Sequence, residues 1–187
     1  MKCSSSSVAT CPYQKEVSKW LKNPIGEDGA LTSVNNRKKP GKVWLYRLPN
    51  GTLVGFGALA KSSWRWKGEE DPRIPVTMVI WYAVHKDFQG KPEGNREGHY
   101  SFQIFDDLVN EAYGDQIDRP LMGLYVHHRN KKAIELYRDF GFTDDGFEAI
   151  HIDGELHYKM YAILNENVLA ATLKEGYKKM GKEPPRT

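Results

Sequence analysis

Cysteine is almost missing from this chain. Cys3 and Cys11 stand in the first eleven positions, and the rest of the sequence has none. That excludes a disulfide-scaffolded secreted domain, and no histidines lie at ligand spacing around the pair. A bridge between the two would close only a small loop, so free thiols in a reducing cytosol are expected. No stretch approaches the roughly 18 apolar residues of a membrane-spanning helix. The serine-rich start, residues 1–10, lacks the apolar core of a secretory signal. A charge excess is lacking too, since 27 Lys+Arg against 24 Asp+Glu leave only +3. Such a balance admits a nucleic-acid partner without arguing for one. The expectation is a soluble, cytoplasmic protein with no membrane partner.

What remains is ordinary globular material. The chain is 187 residues long, 40% hydrophobic and 12% aromatic, enough for one cored domain and too short for two. A single domain over 1–187 is expected, with a helix and loop over 1–40, a core over 43–164, and a helix and tail over 165–187.

Val17, Trp20 and Leu21 repeat at helical spacing and predict a short helix over 14–22, stopped before Pro24. Residues 23–41 predict a long polar loop, in which Arg37-Lys38-Lys39 reads as a solvated run. The period then changes to two. Strands are predicted over 43–48 and 52–60 around an Asn50-Gly51 turn, and Gly55 and Gly57 suggest a bulge or a close backbone approach. A polar loop over 62–72 precedes a buried strand over 74–84. Phe105, Leu108, Val109 and Ala112 form one stripe of a helix over 101–113. A buried strand over 121–126 follows, then a helix over 130–140 with Asn130 as N-cap and Gly141 just past its end. A hairpin over 147–152 and 155–164 turns at Asp153-Gly154, and a terminal helix covers 165–180. The order is helix, strands, helix, strand, helix, strands around a mixed sheet.

Two stretches carry chemistry. In the first, a buried strand passes through a Gly-rich polar loop into a helix. Such a junction offers backbone N–H groups at the positive end of a helix dipole, which suits a phosphate or pyrophosphate. Gly90, Gly94 and Gly98 allow close approach there, and Lys91 and Arg96 add positive charge. The second is Leu124-Tyr125-Val126, then Asn130-Lys131-Lys132-Ala133, then Leu136 through Phe142. By itself it reads as a strand packed beside a capped helix.

Taken together, the segments from Val84 to Lys91 and from Val126 to Phe142 resemble the two signature segments of the GNAT acetyltransferases. The resemblance covers roughly residues 43–164. It implies an α/β (α+β) fold with a mixed, mostly antiparallel central sheet flanked by helices, and acetyl-CoA as cosubstrate. It also implies that the backbone at Ala83 and Val84 pairs with the pantetheine arm, and that the loop from Gln89 and Gly90 holds the pyrophosphate. Asn130 stands where the family often contacts the cofactor. Tyr137 stands where it commonly has the phenol that protonates the departing thiolate. A phenol, with an ordinary pKa near 10, suits that donation.

Two positions depart from the family pattern. The pyrophosphate loop usually reads Arg or Gln, two residues, Gly, one residue, then Gly or Ala. From Gln89 this puts Pro92 at the first Gly position, and Pro has no N–H to offer. Read back from the helix, Arg96 to Ser101 fills the pattern instead, so the loop holds an insertion of roughly half a dozen residues and its binding register stays open. Some members also place a glutamate base where Met78 stands. Tyr82, His85, His127 and His128 lie near in sequence, and none is singled out as the base.

The expected function is N-acetyltransfer from acetyl-CoA to a primary amine by direct attack, with Trp64 and Trp66 as candidate walls of the amine pocket. A toxin-like GNAT that acetylates aminoacyl-tRNA is an alternative, for which Arg37, Lys38, Lys39, Lys131 and Lys132 would supply a basic rim. A non-catalytic GNAT-like module that binds an acyl-CoA or a protein is another, motivated by Pro92. Family members often pair, so a homodimer is compatible with the resemblance.

Overall fold

The computed structural model describes residues 41–90, 99–145 and 147–183. The expected helix over 14–22, the loop and basic run before residue 41, both cysteines, and Lys91, Pro92, Gly94, Arg96 and Gly98 lie outside the described residues.

The first strand, β1 (Gly41–Arg47), turns back through Asn50 and Gly51 into β2 (Leu53–Arg65). Gly51 takes a φ of +85°, a conformation glycine adopts without strain, and Asn50 Oδ1 accepts from the Thr52 N–H at 3.0 Å. β3 (Arg73–Val84) follows, then a single 3₁₀ turn (Lys86–Phe88), α1 (Tyr100–Gly114), β4 (Leu121–His127) and α2 (Lys131–Asp139). A hairpin of β5 (Ile150–Ile152) and β6 (Glu155–Ile163) leads into α3 (Glu166–Lys179). Asn165 caps α3, its Oδ1 accepting from the Val168 N–H at 3.1 Å. The six strands form one sheet in the order β1-β2-β3-β4-β6-β5. Only β3 and β4 run parallel; the other neighbours are antiparallel. The mixed, mostly antiparallel expectation holds.

Strand alternation divides the core between two faces. Val79, Tyr82, Val84, Leu124, Val126 and Met160 pack with Ile104, Phe105 and Leu108 of α1 and with Ala133, Ile134 and Tyr137 of α2. Gly57 is a close approach: a Cβ there would meet the Leu108 side chain at 2.6 Å. On the opposite face Trp64, Ile74, Val76, Met78, Leu121 and Tyr161 pack with Leu169 of α3. Among the described residues no helix is long and apolar enough to cross a membrane.

Two boundaries differ from the sequence reading. The polar loop expected over 62–72 is shorter, because β2 runs on through Arg65, with Ser62 opposite Val76 and Trp64 opposite Ile74. Ser62, Ser63 and Arg65 read as loop residues by composition, yet they only line the wetter end of a strand whose Trp64 is buried. The strand expected over 147–152 starts at Ile150 instead. Phe147 sets its ring edge-on against Trp64, Trp66 and Tyr161.

Thr77, in the middle of β3, has a buried hydroxyl with no hydrogen-bond partner among the described residues. An unmet buried hydroxyl costs about 1–3 kcal/mol. Thr77→Val keeps the shape and is expected to raise Tm by about 2–12 °C, read by calorimetry; an unchanged or lower Tm would show that the hydroxyl is satisfied in solution.

Candidate functional site

β3 and β4 start as a parallel pair and then part. Val76 to Val79 stand in register with Leu121 to Leu124. Beyond that point no register pair joins them: β3 continues to Val84 beside β2, and β4 to His127 beside β6. The parting coincides with a bulge. Ala58 pairs with Trp81 and Leu59 with Val79, which leaves Ile80 as the extra residue. A bulge bends its strand and increases the local twist. The result is a wedge opened inside the sheet.

The ladders fix which backbone groups line it. The His85 N–H donates to the Val54 carbonyl, and hydrogen-bonded positions alternate along an antiparallel pair. Ala83 therefore turns its N–H and C=O toward Phe56 of β2, whereas Tyr82 and Val84 direct theirs into the wedge. On the other bank the His128 N–H donates to the Leu156 carbonyl, so Tyr125 and His127 direct theirs inward. Gln89 Nε2 donates to the Val84 carbonyl at 2.9 Å, and the Asn130 N–H to the His127 carbonyl at 2.9 Å. Of the Ala83-Val84 pair, Val84 is the residue whose backbone faces the opening.

Tyr137 stands on the α1 and α2 side of this wedge. Its helix follows β4, yet its ring lies 6.5 Å from the Tyr82 ring on β3 and 4.9 Å from Phe105 on α1. Burial pushes both phenols above their ordinary value, so each remains protonated through the neutral range. The Tyr82 hydroxyl donates to the Ser101 carbonyl in the first turn of α1, which ties the N-terminus of that helix to the bank of the wedge.

The remaining expected residues fall around the same opening. Gln89 closes the 3₁₀ turn, its N–H donating to the Lys86 carbonyl at 3.4 Å, and exposed Gly90 takes a φ of +72°. Asn130 occupies the N-cap position of α2 as expected, but its side chain makes no capping bond. Lys131 and Lys132 are exposed in the same turn. His85 is exposed beside Asp87, His127 Nε2 lies 3.2 Å from the Glu155 carboxylate, and His128 Nδ1 lies 3.0 Å from the Leu156 carbonyl. Among the described residues no cluster of His, Cys, Asp and Glu is placed to hold a metal ion.

The other face of the wedge holds a residue that no motif announced. Lys159 pairs with Tyr125 across β6 and β4, and its Nζ sits 4.5 Å from the centre of the Trp64 ring and 4.0 Å from that of Phe147. Trp64 reaches this point by lying over Gly123, and its ring centre is 5.4 Å from that of Tyr125. Burial pulls the Lys159 ammonium down to about 8. The one trace in the sequence is alternation, which puts Lys159 on the same strand face as Tyr161.

No protein-family model matches the sequence, and no curated protein matches it. Solved structures match in fold. The spermidine N-acetyltransferase of Vibrio cholerae, solved with CoA and spermine, aligns at 15% identity over 72% of each chain, with a TM-score of 0.50. The ribosomal-protein-S18-alanine N-acetyltransferase of Escherichia coli aligns at 16% identity over 72% of this chain and 76% of that one, with a TM-score of 0.51. A GNAT-family acetyltransferase of Streptococcus pneumoniae aligns at 17% identity over 65% of each chain, with a TM-score of 0.47, so this chain spans just under two thirds of that protein's length. The fold is that of the GNAT acetyltransferases.

Proposed function

We propose that this chain is an N-acetyltransferase that moves the acetyl group of acetyl-CoA directly to a primary amine. The observation that carries the reading is the wedge after Val79 and Leu124, with the Tyr137 phenol on one face of it. An extended diamide arm suits such an opening, because the Val84 N–H and the N–H and C=O of Tyr125 point into it as they would toward another strand. The arm's pyrophosphate end would meet the N-terminus of α1, where helix dipole and backbone N–H groups favour an anion. Gln89, Gly90, Lys91, Gly94, Arg96 and Gly98 precede that helix and Asn130 heads α2, so all are proposed as contacts for the cosubstrate.

A backbone N–H in the wedge would polarise the thioester carbonyl as the amine adds to it. The C–N bond forms, the C–S bond breaks, and Tyr137 gives its proton to the leaving thiolate. The burial that keeps this phenol protonated also makes a thiolate beside it more basic, so the transfer remains matched.

The test is thiol release from acetyl-CoA in the presence of spermidine, 2-phenylethylamine, amino-acid amides, an alanyl peptide or aminoacyl-tRNA, with product masses measured. Release that depends on one of these amines, with the matching acetamide formed, is expected. Release that is the same with and without every amine would overturn the reading.

A further inference from the structure

We infer that Lys159 is the proton acceptor for the attacking amine, working on the face of the wedge opposite Tyr137. The inference rests on the acetyltransfer reading above and assigns the second half of its proton traffic.

Leu124, Val126 and Met160 share one face and one cluster with Tyr137. Strand alternation then sends Gly123, Tyr125, Lys159 and Tyr161 to the other. Tyr125, the register partner of Lys159, is the first β4 residue past the last pair with β3. Lys159 is thus beside the opening, across the sheet from the phenol. An amine entering from this side has Tyr137 beyond the thioester and Lys159 behind it.

The surroundings of Lys159 are those of a base. Trp64 and Phe147 grip its ammonium end by their ring faces. Among the described residues no carboxylate acts on it; burial alone shifts it, toward the neutral form. The ring faces favour the cation, so the two effects oppose each other and leave both protonation states accessible near neutral pH. The titratable groups around it do not compete for the role. Tyr125 and Tyr161 are phenols raised by burial, Tyr161 also by Asp145. His127 is engaged with Glu155, and His157 Nδ1 lies 2.8 Å from the Glu155 carbonyl. On β3 the side chains facing this side near the opening include Met78, Trp81 and Ala83, none of which titrates.

The balance closes. An ammonium substrate and acetyl-CoA give the acetamide, free CoA thiol and one proton. Neutral Lys159 takes the proton that frees the amine lone pair and passes it to water. The second amine proton leaves to solvent as the amide forms, and Tyr137, having protonated the thiolate, regains one from solvent.

Two readouts test this on the full-length protein. Competitive labelling with acetic anhydride across pH, read at Lys159 by peptide mass, is expected to give a pKa near 8; a value near the ordinary 10.5 would overturn the proposal. The second is the pH profile of kcat/KM with the fastest amine of the panel above. Lys159→Arg keeps the charge but cannot accept a proton, and is expected to lose about 10²-fold or more and the acidic limb of the profile, the rise in activity as Lys159 loses its proton. Lys159→Cys in a background lacking Cys3 and Cys11, alkylated with 2-bromoethylamine, restores a less basic amine. It should recover activity with the limb moved to lower pH. Wild-type kcat/KM and profile in Lys159→Arg would overturn the proposal while leaving acetyltransfer intact. If no amine of the panel is acetylated by the wild type, the parent reading fails and this one falls with it.

Discussion

Tyr137→Phe is expected to lower kcat for amine acetylation by about 10²–10³-fold while leaving acetyl-CoA affinity within about two-fold of wild type. The substitution removes one oxygen from a ring packed by Tyr82, Phe105 and Phe142, all of which remain in place. Among the described residues the hydroxyl makes no hydrogen bond that the change would break, so stability should hold. What is lost is the proton for the departing thiolate. Steady-state kinetics beside calorimetric titration separates the two effects. An unchanged kcat would remove Tyr137 from the chemistry, and a large loss of affinity with kcat preserved would make it a binding residue only.

Gly123→Ala should produce the largest loss of stability. A Cβ at this position would lie 2.3 Å from the far edge of the Trp64 indole, inside any permitted contact. Trp64 is buried, with Tyr125 and Phe147 against it and Lys159 over its face, so it has no room to retreat without dismantling the cluster. Overpacking of this kind costs about 3 kcal/mol or somewhat more, which for a chain of this size lowers Tm by about 6–12 °C. Trp64→Phe in the same chain shortens the ring, so the double variant should lose less than the sum of the two single losses. Strict additivity would mean the indole does not rest on Gly123 in solution.

How much of this was legible in the sequence differs by element. The Asn50-Gly51 and Asp153-Gly154 turns, the stripe on α1, and Gly141 just past α2 are local signals, and local chemistry specifies them; Asn130 holds the N-cap position of α2 without a capping bond. The end of β2 was not legible. Ser62, Ser63 and Arg65 carry loop composition, and only their pairing with β3 makes them strand. The wedge has no local signature either, since it depends on where two strands distant in sequence stop pairing. Its bulge falls at Ile80, whereas the glycines that hinted at a bulge, Gly55 and Gly57, are close approaches to Ala83, Ile104 and Leu108. Tyr137 could be named from a motif that joins a strand to a capped helix. Lys159 could not, because its environment is assembled from β2, β6 and the segment before β5, and a lone lysine in a strand reads as a solvated one.

The most direct test of the account is calorimetric titration of the full-length protein with acetyl-CoA, with desulfo-CoA and ATP as controls. Saturable micromolar binding of acetyl-CoA, stronger than that of ATP, is expected if the wedge engages the pantetheine arm and not the nucleotide alone. Absence of binding up to millimolar acetyl-CoA would contradict it, leaving a GNAT fold whose opening between β3 and β4 holds no such arm.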